Sequence, residues 1–499
     1  MTDVLLTHSY HLYYDPKQVR KMQPYPPLGT LYAAALLRER GFSVALFDSM
    51  LEDPERGFPE AVKQHHPRVV AIYEDSFNFL SKMCLTRMRQ VAYGMIEAAK
   101  SSGATVLVHG SDSSDHVEEY LRQGADVVLL GEAEWTLLEF AESLLHDSGR
   151  EPREILGLAF ADRRSDRVHR TARRPLMTDL DVLPFPARDL VQMERYREAW
   201  KTAHGFFSLN AVASRGCPYR CNWCAKPIYG DSFHLRSAER VAEEMRVLKE
   251  KWDAEHLWFA DDIFGLKARW VQELAEWVEQ RQAAVPFKMQ SRVDLMKQET
   301  VRALRRSGCA EVWMGVESGS QEILDAMEKG TRLGQVARAR DNLRRSDIRA
   351  CYFLQFGYPG ETWADIQKTI QLLRETQPDD IGVSVSYPLP GTRFYERVRA
   401  QLGAKTNWDD SGDLAMMFKG GYTSEFYRAL HDVLHAEVDV WTAGKAWPYS
   451  MQARKAPKRN SGADELRRMW ARVEQLEKSC RNSEPTLLPV VACSLAPSC

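Results

Sequence analysis

Three cysteines, Cys217, Cys221 and Cys224, fall in the short segment Ser214-Arg-Gly-Cys217-Pro-Tyr-Arg-Cys221-Asn-Trp-Cys224. Thiolates so spaced, on a turn after an expected strand, converge on one metal site and suit an iron–sulfur cluster or zinc. A structural zinc site expects a fourth Cys or His at close spacing, and the segment has none. Three protein ligands leave one corner of a cubane cluster open, and an open iron can bind and activate a small molecule. The remaining cysteines, Cys84, Cys309, Cys351, Cys480, Cys493 and Cys499, show no ligand spacing. Cys309 and Cys351 lie near strand starts and are expected as buried small hydrophobes. Nine cysteines spread unevenly over 499 residues make a poor disulfide framework and suit a reducing cytoplasm.

The elements that must carry this segment follow from periodicity. Over residues 1–150, short apolar runs at Val4–Thr7, Val44–Phe47, Val69–Tyr73, Thr105–Val108 and Val127–Leu130 alternate with helical patterns at Leu31–Arg40, Met83–Lys100 and Trp135–Leu145. Strands alternating with helices predict an α/β, doubly wound, Rossmann-like domain with its ligand site beyond the carboxyl ends of the strands. Residues 151–204 read as a linker: a small hairpin at Gly157–Phe160 and Val168–Thr171, then the proline-stiffened Leu183-Pro-Phe-Pro-Ala187. Residues 205–400 resume the alternation, with strands expected at Phe207–Ala213, His256–Ala260, Phe287–Ser291, Glu311–Val316, Ala350–Phe356 and Ile381–Tyr387. Six such units predict a partial (β/α)6 barrel with its chemistry at the carboxyl ends of the strands. Residues 401–499 read as a helical C-terminal region, with a basic break at Arg454–Gly462, one amphipathic helix marked by Leu466, Met469, Val473 and Leu476, and a loose tail after Asn482.

The C-x3-C-x2-C spacing, with Trp223 just before the third cysteine, resembles the signature of the radical S-adenosylmethionine (SAM) superfamily. The resemblance extends over 205–400: Ser291-Arg-Val-Asp294, Gly315-Val-Glu317-Ser-Gly319, Gly357-Tyr-Pro-Gly-Glu361-Thr and Pro388-Leu-Pro-Gly391-Thr look like the strand ends of that superfamily. It implies a 4Fe–4S cluster on Cys217, Cys221 and Cys224, whose open iron chelates the amino and carboxylate groups of SAM. It implies contacts to SAM from Trp223, Arg292 and Glu317. A guanidinium matches a carboxylate bidentately, and a carboxylate accepts from hydroxyl or ammonium groups; the alternative for Arg292 and Glu317 is a structural ion pair. Asp261 and Asp262 are expected to cap the next helix rather than to orient SAM. Tyr219 and Trp223 are expected as packing around the cluster and adenine.

A doubly wound domain ahead of such a barrel resembles the cobalamin-binding class of radical SAM enzymes. Pro26-Pro-Leu-Gly29, Gly41-Phe-Ser-Val-Ala-Leu-Phe-Asp48 and Gly131-Glu132-Ala-Glu134 fit that class. The Asp-x-His-x-x-Gly motif that ligates cobalt in other cobalamin proteins is absent. His109 and His116 are expected as ordinary loop histidines, and the corrin as held without a protein histidine, its tail near Gly110, Ser111 and Gly131. SAM and cobalamin together imply a methyltransferase: a 5′-deoxyadenosyl radical abstracts hydrogen from an unactivated carbon, and methylcobalamin supplies the methyl group. The substrate is expected to be a natural-product or lipid-like small molecule lying between the two domains. The alternatives are a non-methylating enzyme such as an oxidative cyclase, or a cobalamin or metal sensor. A methylthiotransferase fits less well, since no second cysteine trio or RNA-binding module is seen.

The same resemblance implies an electron donor such as flavodoxin or ferredoxin. The formal net charge of −2 gives no sign of a nucleic-acid partner. No apolar run approaches the roughly 20 residues of a membrane span, and a cytoplasmic location is expected. Trp441, Trp447 and Tyr449 either line an apolar substrate pocket or close the barrel's open side; closure is the preferred reading.

Overall fold

The computed structural model describes residues 2–83, 85–146, 150–162, 167–403, 407–445, 448–449 and 463–482. Cys84, Trp447, the Arg454–Gly462 break and the tail after Asn482, with Cys493 and Cys499, lie outside the described residues.

The first sheet holds β1 (Val4–Thr7), β2 (Val44–Phe47), β3 (Val69–Tyr73), β4 (Thr105–His109), β5 (Val127–Leu129), β6 (Leu158–Asp162) and β7 (Arg167–Arg170), in the order β2-β1-β3-β4-β5-β6-β7. The first five strands are parallel. β1 and β3 are buried along their whole length, which is why they read as unbroken apolar runs. Helices Leu28–Glu39 and Glu134–Leu145 pack on one face, and Pro54–His65 and Thr86–Ser101 on the other. The hairpin read as part of the connector is β6 and β7, and it pairs antiparallel onto β5. The helix expected over Met83–Lys100 runs over Thr86–Ser101, because Leu85 is extended and caps its start, and a separate short helix, Phe79–Lys82, precedes it.

The second sheet is parallel and nearly in chain order. It consists of β8 (Ser208–Ala211), β11 (His256–Phe259), β12 (Phe287–Ser291), β13 (Cys309–Glu317), β14 (Arg349–Phe356) and β15 (Asp380–Val385). The short strands β9 (Ser214–Arg215) and β10 (His234–Leu235) form a separate antiparallel pair. β8 and β15 are free edges, so the sheet is a partial barrel. Alternation along its strands sorts the side chains. Val312, Met314, Tyr352, Leu354, Ile381 and Val383 join the large buried core with the covering helices. The other face carries Lys288, Glu311, Trp313, Arg349, Phe353 and Asp380, in neighbouring register.

Residues 10–27, the loop after β1, run across to the barrel. Tyr10, Leu12 and Tyr25 belong to the same buried core as the barrel strands. The Tyr25 hydroxyl lies 3.1 Å from Ser208 Oγ, Trp200 Nε1 donates to Pro24 O at 2.6 Å, and Asn210 Nδ2 donates to Pro26 O at 2.8 Å. This connection is thus committed to packing between the two sheets' domains.

Helices Ser424–Thr442 and Ala463–Asn482 pack together, tied by Trp470 Nε1 donating to Glu437 at 2.8 Å. Trp441 Nε1 donates to Pro378 O at 3.0 Å, and Tyr449 packs on the rings of Phe206 and His256. Pro378, Phe206 and His256 lie at the amino ends of β15, β8 and β11. Trp441 and Tyr449 therefore cover the end of the barrel opposite to its carboxyl edge, away from any substrate. Among the described residues no helix is long and apolar enough to cross a membrane.

Asn210→Ala strands the Pro26 carbonyl and removes an acceptor from buried Arg188. It is expected to cost about 1–3 kcal/mol, read as a lower urea midpoint with the same cofactor content; an unchanged midpoint contradicts this role for the segment.

Candidate cluster and cofactor site

Every constraint on the cysteine loop starts at the carboxyl end of β8. Asp261, two residues beyond β11 and buried, accepts from the backbone N–H of Ala213 and, at 2.5 Å, from Ser214 Oγ. Burial pushes its carboxyl up to about 7, against the pull of those hydrogen bonds. Asp261 thus neither caps a helix nor faces outward; it fixes the strand end from which the loop departs. Gly216 follows with φ +79°, and a Cβ there would stand 2.3 Å from Ser232 O, so only glycine fits.

The loop is then clamped from inside and outside. Lys226 Nζ donates to the carbonyls of Cys217 (2.9 Å) and Tyr219 (2.5 Å) and pairs with Asp231 at 2.5 Å. Asn222 N donates to Met327 O at 3.1 Å, and Asn222 Nδ2 donates to Ala326 O at 2.7 Å. The Tyr358 hydroxyl lies 3.0 Å from Asn222 Oδ1 and can donate to it. With the backbone so held, Cys217, Cys221 and Cys224 keep free, partly exposed thiols. Burial raises the Cys217 thiol, and raises Cys224 to about 12. Three free thiols on one pinned loop, with Lys226 and Lys329 nearby, are a donor set of the kind that binds iron–sulfur clusters, although among the described residues no three His, Cys, Asp or Glu side chains stand close enough together to hold a metal ion. Cys309 and Cys351 are fully buried, as expected.

The strand ends around the loop hold the other expected residues. The Arg292 guanidinium lies 3.7 Å over the Tyr219 ring, and its Nε donates to Asp294 at 2.9 Å. Glu317 ends β13 at φ +63°, beside a register shift against β14, and pairs with Lys329 at 2.7 Å, both buried. Burial opposes the Lys329 charge, yet Glu317 and Cys221 together outweigh it and its pKa is raised. Lys329 also lies 5.8 Å from the Trp223 ring centre. Trp223 packs against the cluster of Ile323, Met327, Tyr358 and Phe394 and leaves its buried Nε1 without a partner. Lys329 gives no local signal in the sequence, because its meaning lies in a partner twelve residues away.

At the carboxyl edge of the first sheet, a small cavity of about 20 Å³ is lined by Ser9, Glu74, Ser81, Met88, His109 and Ser113, among others. Three buried polar atoms there, Glu74 Oε2, Ser81 Oγ and His109 Nδ1, have no partner in the protein. A cavity of that size holds about one water, which suits these atoms, and is too small for a corrin. His109 is the last residue of β4 and is buried, stacked on Tyr73, so it is not the loop histidine expected. Burial lowers its pKa to about 4. Its Nε2–H is assigned by its bond to Gly131 O at 3.0 Å, which leaves Nδ1 an acceptor. His116 is partly exposed beside Asp112 and Glu119. Gly110 has φ +147°, and a Cβ there would meet Glu74 at 2.9 Å; Ser111 is buried next to it. Gly131 lies against Ile228 O, on the side of the cysteine loop.

The two regions touch through charges. Arg215, two residues before Cys217, pairs with Glu132 at 2.5 Å and Glu134 at 2.7 Å, all three buried. The Gly131-Glu132-Ala-Glu134 segment is thus a contact to the cysteine loop. Lys82, from the short helix after β3, pairs with Asp262 at 2.5 Å. The pairing also replaces the helix cap expected of Asp262.

Gly216→Ala is expected to abolish the cluster although all three cysteines remain, read as iron and sulfide content after anaerobic reconstitution. Full iron in that variant contradicts the account of the loop.

Comparison with known proteins agrees with this division. Residues 212–373 match the Radical SAM superfamily, and residues 22–141 match the B12 binding domain. An uncharacterised methyltransferase of Pyrococcus horikoshii is 28% identical over 390 residues, 77% of this chain and 81% of its own length. The hopanoid C-3 methylase of Methylococcus capsulatus is 25% identical over 75% of this chain and 69% of its own. The anaerobic magnesium-protoporphyrin IX monomethyl ester cyclase of Cereibacter sphaeroides is 23% identical over 76% of this chain, which spans 61% of that relative. In fold, the chain resembles the radical SAM methyltransferase TsrM of Kitasatospora setae, solved with cobalamin and a [4Fe-4S] cluster, with a TM-score of 0.65 and 19% identity over 80% of this chain and 75% of that one. With both domain matches on the segments that carry the cysteine loop and the cavity, the chain belongs to the cobalamin-binding class of radical SAM enzymes, whose cofactors are a 4Fe–4S cluster, SAM and cobalamin.

Proposed function

We propose that this enzyme methylates an unactivated carbon of a natural-product or lipid-like small molecule. The observation that carries the reading is the pair of charge contacts, buried Arg215 with Glu132 and Glu134 and half-buried Lys82 with Asp262, joining the cysteine loop and strand ends to the carboxyl edge of the B12-binding domain. A substrate entering between the domains would meet both cofactors. Bound there, the groups supply SAM cleavage to a carbon-centred radical, hydrogen abstraction and methyl donation. The named methylase and methyltransferase relatives support methyl transfer. The cyclase relative favours ring formation as the second reading.

The chain's own residues bind and orient. Cys217, Cys221 and Cys224 would hold the cluster. Glu317, strained and paired to Lys329, would accept from SAM hydroxyl or ammonium groups. Arg292, flattened on Tyr219, would meet a carboxylate, and Trp223 would pack near the adenine. Gly110 and Ser111 would border the cobalamin tail, and Gly131 would fix His109 beside it. The reductant would be a flavodoxin- or ferredoxin-like donor in a reducing cytoplasm.

SAM carrying a labelled methyl group, supplied with reductant and a panel of hopanoid, chlorin and aromatic acceptors, tests the reading. Label in an extracted product, formed together with 5′-deoxyadenosine, is expected. Substrate consumed with 5′-deoxyadenosine but without label would move the function to cyclisation. Glu317→Gln and Arg292→Ala are expected to weaken SAM binding by about one to two powers of ten with iron content intact; unchanged SAM titrations in both would make these residues purely structural.

A further inference from the structure

Arg215 is enclosed more completely than holding two domains together requires. Its side chain is 3% exposed, and those of Glu132 and Glu134 are 5% and 3% exposed. One guanidinium faces two carboxylates, inside a box of the rings of Tyr32, Phe77 and Tyr229 at 5.3–5.6 Å. Phe77 and Tyr229, one from each domain, stack on each other at 5.7 Å. A buried triad of this kind adds little to stability, because desolvation consumes most of the Coulombic gain, and apolar residues of the same volume would serve at least as well. Its distinctive property is directional. Two carboxylates fix both arms of the guanidinium in one orientation.

Each end of the triad leads to one cofactor region. On one side, Gly131 precedes Glu132 and accepts from His109, the last residue of β4, whose unpartnered Nδ1 lines a small cavity at the carboxyl edge of the B12-binding domain's sheet. The second oxygen of Glu132 accepts from Met177 N at 2.5 Å, so the carboxylate is itself fixed. On the other side, Arg215 is followed by Gly216, which has no room to shift against Ser232 O, and then by Cys217. The route from that sheet edge to the cysteine loop is a continuous run of hydrogen bonds, ion pairs and short peptide segments without a slack element.

We infer that Arg215, with Glu132 and Glu134, is a positioning group that couples the B12-binding domain to the cysteine loop, so that cobalamin bound by one and a cluster bound by the other change each other's affinity. The inference rests on the family's two resident cofactors and is independent of whether the reaction is methylation. Coupling of this kind is reciprocal and is measured as a ratio of affinities.

The test is a hydroxocobalamin titration, followed by absorbance, of the full-length protein in two states: with the 4Fe–4S cluster reconstituted, and after chelation of its iron. Wild type is expected to bind hydroxocobalamin about five-fold or more tightly with the cluster present. In Glu134→Gln, which keeps the shape and leaves a neutral Arg215–Glu132 pair, the ratio is expected to fall to within about two-fold of unity while iron content stays full. Glu132→Gln and Arg215→Lys provide the same reading if Glu134→Gln proves insoluble. A wild-type ratio near unity overturns the inference, and so does a variant that keeps the wild-type ratio. A merely structural triad would lower the melting temperature of the variants and leave the ratio unchanged. Failure of the labelled-methyl experiment would not affect this result.

Discussion

Arg215 stands between Glu132 and Glu134 with none of the three reaching solvent, and it is two residues from the first cluster cysteine. Breaking a buried pair by removing one partner leaves an uncompensated charge and is strongly destabilising, by about 3–5 kcal/mol. The two domains are therefore not free to slide past one another at this point. The loop after β1, which brings Tyr10, Leu12 and Tyr25 into the barrel's core, and the Lys82–Asp262 pair confirm the same arrangement from other directions. The fixed geometry sets the carboxyl edge of one parallel sheet beside the carboxyl ends of the other.

That juxtaposition explains how the local devices serve one purpose. Parallel strands place their ligand-binding loops at one end. Asp261 fixes where the cysteine loop leaves β8, Gly216 turns it, and Lys226 and Asn222 hold its carbonyls and amides, so that the thiols alone remain available. The opposite end of the barrel is sealed by Trp441 and Tyr449. On the inner face, the Arg349–Glu311 pair and the bond from Trp313 Nε1 to Glu311 keep charged and aromatic side chains in register. The lumen is thus rigid below the place where reactive species would form, which suits chemistry that must exclude water and stray hydrogen donors.

Much of this was legible in the sequence because it is local. The barrel and Rossmann strands are short apolar runs, and four of them, such as Phe287–Ser291, begin and end where periodicity predicts. The cysteine loop was legible because all three thiols lie within one turn-bearing segment, and the match to the Radical SAM superfamily over residues 212–373 contains it. The partners of charged residues were not. Asp261 read as a helix cap, because its real acceptor role depends on Ala213 and Ser214 on another strand. Lys82, Lys329 and Asn222 gave no signal, because each acts through a residue distant in sequence. Glu132 and Glu134 pointed to the right domain and the wrong contact. His109 looked like a loop residue because β4 runs one residue further than its apolar pattern, and the added residue is a buried histidine whose Nε2–H is satisfied by Gly131.

The claim on which the rest depends is that one chain holds its cluster and its cobalamin facing a shared space. Electron paramagnetic resonance of the enzyme carrying both, poised so that cobalt is Co(II), tests it directly. Reducing the cluster to its paramagnetic state is predicted to split the cobalt signal or to shorten its relaxation markedly, and Cys221→Ala, which lacks the cluster, is predicted to show the unperturbed cobalt signal at every potential. A cobalt signal with the same shape and relaxation whether or not the cluster is reduced would contradict the account.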